Sequence, residues 1–183
     1  MKTALTLAAL LMSAPAIAEQ SCGLKSPMSC RDTSELMWSK GTEAAIRAFL
    51  KGLPGNYLGH RWKTSAGSDA ITVLGGPPDD PKPLPGGVTM VSACQAHNCE
   101  EKGAMVIDAG GRIAAIGILN HHCGSGCDLR HPLLSLFVAP NGARAAIMNA
   151  VKSWGEDAAA NEYRMEPDPP HTLEIEIINV RRH

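Results

Sequence analysis

The most apolar stretch of the chain is its start. Lys2 precedes an uncharged run of Ala, Leu and Thr ending at Met12, and Ala16-Ile17-Ala18 is followed by polar Glu19-Gln20. A short positive start, a brief apolar run and a small-x-small site predict a secretory signal peptide over residues 1–18, cleaved after Ala18. The run is too short for a permanent anchor, which needs about 20 residues. No second long apolar run follows, so no transmembrane helix is expected. Glu19-Gln20-Ser21 before Cys22 lacks the small and aliphatic residues of a lipoprotein signal. No membrane anchor is expected.

Further along, the period of the apolar positions changes repeatedly. Asp32, Thr33 and Ser34 are N-cap candidates for a helical stretch carrying Leu36, Met37 and Trp38. Gly41-Thr42 breaks it. Ala45, Ile46, Phe49 and Leu50 then form one stripe of a second helix, stopped by Gly52, Pro54 and Gly55. A strand-rich middle follows, with Ala70 to Leu74 as a short strand candidate. Gly75 to Gly87, with four Gly and five Pro, reads as a stiff loop. Val88 to Cys94 and Ala104 to Ala109 read as strands, the latter ending at a Gly110-Gly111 hairpin signal. Arg112 to Leu119 and Leu133 to Ala139 complete five strands joined by short connections, which favours an antiparallel meander. A helix opening near Asn141 places Ala143, Ile147, Ala150, Val151 and Trp154 at helical spacing, with Gly155 marking its end. Residues 158–170 are polar and Pro-rich. Leu173, Ile175 and Ile177 alternate with Glu174 and Glu176, predicting an extra C-terminal strand over Thr172 to Val180.

Composition narrows the classes. The chain has 183 residues, 44% apolar and 19% charged, which suits one domain with a real core. A formal charge of -1 and seven aromatic residues argue against a nucleic-acid partner or a base-stacking or sugar-stacking surface. Export implies an oxidising compartment, where cysteines pair. The six cysteines form local couples: Cys22 with Cys30, Cys94 with Cys99, and Cys123 with Cys127. Fifteen connectivities are formally open, and the local one is simplest. Each small loop would add only about 2 kcal/mol by the loop-entropy relation. Such staples shape loops more than they hold a fold.

The sharpest motif is Val91-Ser92-Ala93-Cys94-Gln95-Ala96-His97-Asn98-Cys99. A strand runs into a six-residue ring with an imidazole near its tip. A crosslink of that size orders the loop in advance, so docking costs less entropy. The segment resembles the signature of the Ivy family, periplasmic inhibitors of vertebrate lysozyme, in which Cys-Lys-Pro-His-Asp-Cys follows a strand ending in Ser-Ala. Both cysteines and the histidine match in spacing. The downstream order also matches: a hairpin, a strand, an Asn141-Gly142 turn and an amphipathic helix. The likeness covers about residues 33–157. It leaves out an arm at 19–32 tied by Cys22 and Cys30, the Cys123/Cys127 loop and an extension at 158–183.

The resemblance implies an α+β fold, three layers with a central five-stranded antiparallel meander flanked by helices. It implies no enzymatic activity, no cofactor, and inhibition by plugging. The loop Cys94, Gln95, Ala96, His97, Asn98 and Cys99 would enter the cleft of a c-type lysozyme, with His97 between the catalytic carboxyl groups. Such glycosidases use a protonated carboxyl opposite a carboxylate. An imidazole between the two can hydrogen-bond both and keep sugar out. The cell's own lytic transglycosylases, which cut the same glycan, are the alternative target, and the family includes homodimers. Gln95, Ala96 and Asn98 stand where the signature has Lys, Pro and Asp. They remove a positive charge, a φ restraint and a charge-assisted acceptor.

Other readings compete. His121, His122, Cys123 and Cys127 have the donor types of a Zn²⁺ or copper site, so a periplasmic metal-binding protein is the alternative from another class. Export instead favours a disulfide beside two exposed histidines. A redox pair at Cys94 and Cys99 is disfavoured, because four residues intervene instead of two. Trp38 and Trp154 are expected in the core, and Glu174 and Glu176 on the wet face of an edge strand.

Overall fold

The computed structural model describes residues 21–59, 62–121, 131–140, 144–162 and 173–180. Its centre is a six-stranded sheet in the order β1 (Lys82–Leu84), β2 (Val88–Gln95), β3 (Asn98–Ile107), β4 (Ile113–Asn120), β5 (Leu133–Val138) and β6 (Glu174–Asn179). β1 to β5 pair antiparallel, as a meander. β6 pairs parallel to β5, with Leu133 opposite Glu174 and Val138 opposite Asn179. A parallel neighbour cannot be reached through a tight turn. The chain therefore crosses between β5 and β6 by way of the helix α4 (Arg144–Glu162). The fold is α+β, and its sheet is mixed.

Alternation along the strands loads both faces with apolar side chains. Val91, Met105, Ile107, Ile116, Ile118 and Phe137 face one cluster, which α1 (Thr33–Trp38), α2 (Thr42–Phe49) and α3 (Ala66–Leu74) close with Leu36, Ile46 and Val73. Met90, Val106, Leu119, Leu134 and Leu136 face the other, closed by Ile147, Val151, Trp154 and Ala158 of α4. The 147, 151, 154, 158 spacing is one helical stripe. Helices thus cover both sides of the sheet. The Cys22–Cys30 disulfide ties the N-terminal arm, and its two sulfurs join the first cluster.

Several expectations need correction. Residues 70–74 are not a strand but the end of α3. The Ser65 side chain accepts a hydrogen bond from Ser68 N (3.2 Å), and Ala66, Ala70, Val73 and Leu74 bury one face. The nine-residue window shows a helical period that five apolar residues alone conceal. The fifth meander strand is β1, inside the stretch expected to be only loop. Pro83 fits there because an edge strand leaves one side of its backbone unpaired. β3 starts at Asn98 instead of 104. Gly155 does not end α4, which runs on to Glu162 and through the suggested limit at 157. A Cβ at Gly155 would lie 2.9 Å from Leu134 Cδ2, so the glycine permits close packing on β5. Trp38 is 81% exposed, whereas Trp154 is buried. In a helix of six residues, Leu36 and Met37 already fill the inward side. Glu174 and Glu176 are exposed on the edge strand β6, as expected.

The N-cap of α1 is Asp32, whose carboxylate accepts from Glu35 N at 2.9 Å. Another aspartate organises the β3–β4 connection, which spans 108–112 and is longer than the two-residue Gly110-Gly111 turn expected. Asp108 accepts from Gly110 N (2.8 Å), Arg112 N (3.0 Å) and Arg112 Nε (2.9 Å). Burial pushes its pKa up, but these hydrogen bonds and the Arg112 charge outweigh that and hold it below 3.8. A carboxyl depressed in the folded state contributes stability above its unfolded pKa and loses it as pH falls through the folded value. Asp108→Asn should therefore lower stability at neutral pH by under about 1 kcal/mol, since the pair is partly solvated. It should also flatten the fall in melting temperature below about pH 4. Melting curves of the two proteins that run parallel from pH 4 to pH 2 would contradict this.

Candidate functional site

The cysteine motif forms the β2–β3 hairpin. Gln95 pairs with Asn98, leaving Ala96 and His97 as a two-residue turn. Cys94 and Cys99 form the expected disulfide, with Cα atoms 4.8 Å apart. Cys94 pairs with Lys102, so Cys99 to Glu101 are extra residues that form a bulge in β3. A bulge of this kind bends the strand and turns the tip. Ala96 and His97 are exposed, Gln95 and Asn98 half-buried, and Cys94 buried. His97 has a left-handed φ of 65°, which non-glycine residues adopt at a cost. Lys102 Nζ donates to the carbonyl of Cys99 on the bulge.

The hairpin is mounted on a strap formed by residues 75–79. β1 pairs only with 88–90 of β2, and the strap pairs with the next stretch of the same edge. Asp79 N donates to Ser92 O (2.9 Å), Cys94 N donates to Pro77 O (3.1 Å), and Pro78 bridges Ala93. Ser92 Oγ donates to Asp79 Oδ2 at 2.6 Å. The buried Thr33 hydroxyl lies between Ser92 O (2.8 Å) and Asp79 O (3.0 Å), and Thr33 N donates to Asp79 O (3.1 Å). The start of α1 therefore clamps strap and strand together. Gly76 lies directly beneath the turn. A Cβ there would sit 2.2 Å from Cys94 O and 2.4 Å from Ala96 N. The result is an exposed turn carrying His97 on a base held by these hydrogen bonds.

No family model, curated protein or solved structure matches this chain. The functional reading therefore stands on the residues themselves.

The ring residues 94 to 99 lie together, as their spacing requires. Thr33, Gly76 and Asp79 were not apparent as partners of the site. The sole signal was the Gly75-Gly76-Pro77-Pro78 run, which marks restricted backbone without saying what it rests on. The metal-site residues His122, Cys123 and Cys127 lie outside the described residues, as does the Cys123–Cys127 pairing. His121 is described, and it is wholly buried and not exposed as expected. Glu101 and Asn120 are buried polar residues as well. Among the described residues, no group of three or more His, Cys, Asp or Glu could hold a metal ion. No helix among them is long and apolar enough to cross a membrane. The signal segment lies outside them.

Proposed function

We propose that this protein is an exported, Ivy-like inhibitor that plugs the active-site cleft of a c-type lysozyme with the Cys94–Cys99 hairpin. The observation that carries the proposal is the exposed His97 at the apex of a disulfide-closed turn bonded to a strap beneath it. Inhibition by plugging asks for a narrow projection that already holds its bound shape, since ordering a loop on binding costs affinity. The two-residue turn presents one imidazole and one methyl group, a tip slim enough for a glycan cleft. An imidazole between two carboxyl groups can donate to both, and its charged form is favoured there. The sugar ring that would be cleaved is then displaced. The leader over residues 1–18 and the two disulfides are consistent with a periplasmic location. Lytic transglycosylases present similar glycan clefts, so the same hairpin would serve against them.

The test is a cell-wall lysis assay with c-type lysozyme and, separately, a lytic transglycosylase. Inhibition of at least one enzyme, competitive with glycan, is expected. The Cys94→Ser, Cys99→Ser double variant should inhibit about tenfold less, through lost preorganisation of the turn. Inhibition of neither enzyme by the wild-type protein would overturn the proposal.

A further inference from the structure

A cleft of about 620 Å³ opens beside the base of the hairpin, on the α4 side of the sheet. α4 packs chiefly over β3, β4 and β5, and the cleft opens between the helix and the edge formed by β1 and β2. Its apolar lining comes from Met90 and Ala93 of β2 and from Trp154 and Ala158 of α4. The helix contributes one continuous face from Ala150 to Asn161, about 16 Å long at 1.5 Å per residue. Four charged residues stand in the lining: Asp79 already accepts from Ser92 Oγ and Lys102 already donates to the Cys99 carbonyl, and the other two are Lys82 on β1 and Asp157 on α4. Among the described residues, no ion pair joins Lys82 and Asp157 or holds either one.

An apolar cleft with few polar groups is the usual form of a small-ligand site. Here the charged groups not already bonded to the hairpin and its strap are the Lys82 ammonium and the Asp157 carboxylate, which form no ion pair with each other. A ligand with a single charge would satisfy one and leave the other idle. A ligand carrying both signs around an apolar body would satisfy both. An extended peptide advances about 3.3 Å per residue, so the face of α4 accommodates up to about five residues. We propose that this cleft binds a short peptide with free termini and small apolar side chains, its ammonium on Asp157 and its carboxylate on Lys82. The assignment does not depend on lysozyme inhibition, and the His97 turn lies outside the cleft lining.

The probe is the tripeptide Ala-Leu-Ala, titrated into the whole protein at low salt and followed by calorimetry and amide chemical shifts. Saturable binding is expected, with shifts at Ala93, Trp154 and Ala158. The same tripeptide acetylated and amidated at its ends should bind at least tenfold more weakly. Lys82→Gln and Asp157→Asn, both at exposed positions, should each weaken binding three- to tenfold without moving the melting temperature. No saturation by 10 mM peptide would overturn the proposal. Equal affinity for the capped peptide, or for either charge variant, would also overturn it and mark the cleft as a seat for an apolar segment.

Discussion

Replacing Gly76 with valine is expected to cost more stability than any other single change near the hairpin. The atoms that a side chain would meet are backbone: Cys94 O at 2.2 Å, Ala96 N at 2.4 Å and the Gln95 carbonyl carbon at 2.8 Å from a Cβ at that site. Backbone cannot rotate away as a side-chain end can, so the strap or the turn must lift. Lifting the strap breaks its hydrogen bonds with Ser92 and Cys94, on which the Thr33 clamp also depends. Overpacking of this kind costs about 3 kcal/mol, which lowers the melting temperature by roughly 10 °C for a chain of this length. Alanine should produce most of the effect, because Cβ itself makes the clash. In the lysis assay both variants should inhibit less than wild type even well below their melting temperature, since the turn has lost its footing. A Gly76→Val protein with unchanged melting and inhibition would show that strap and hairpin are not mechanically joined.

His97→Ala should nearly abolish inhibition while leaving the fold untouched. The side chain is exposed on a turn, so removing it forfeits no core contact. In a plugged cleft the same imidazole would be fully desolvated between two carboxyl groups. Residues in that position dominate binding energy, typically by 2 kcal/mol or more. A loss of at least about 30-fold in inhibition is therefore expected. His97→Gly separates the two roles of the position. Glycine adopts the observed φ of 65° without strain, so it should raise stability by about 1 kcal/mol. It should still fail as an inhibitor. Alanine and glycine variants that inhibit as well as wild type would remove His97 from the mechanism even if the protein proves to be an inhibitor.

The sequence shows the middle of the sheet better than its rim. β2, β4 and β5 are dense apolar runs, and their register follows from short connections. β6 is readable from alternation alone, though not its parallel pairing, which depends on where α4 carries the chain. α3 was hidden because its cap, Ser65, lies outside the apolar window that suggested a strand. β1 was hidden because proline weighs against a strand unless the strand is known to be an edge. For the site, the Cys94–Cys99 ring and its histidine are local in sequence and were legible. The mount was not. Thr33 reaches Asp79 across 46 positions and Ser92 across 59, and nothing in a single chain ties such residues before it folds.

The parallel arrangement of β5 and β6 also sets an order of assembly. Every neighbouring pair from β1 to β5 closes a short stretch of chain, so the meander can form by successive local pairings. β6 must wait until α4 has crossed the sheet, and closing so long a stretch is slow. The hairpin turn belongs to the early part, whereas the Thr33 clamp and the C-terminal strand both close long stretches and are expected to form later. The turn that carries His97 is therefore expected to form before the opposite edge of the sheet is complete.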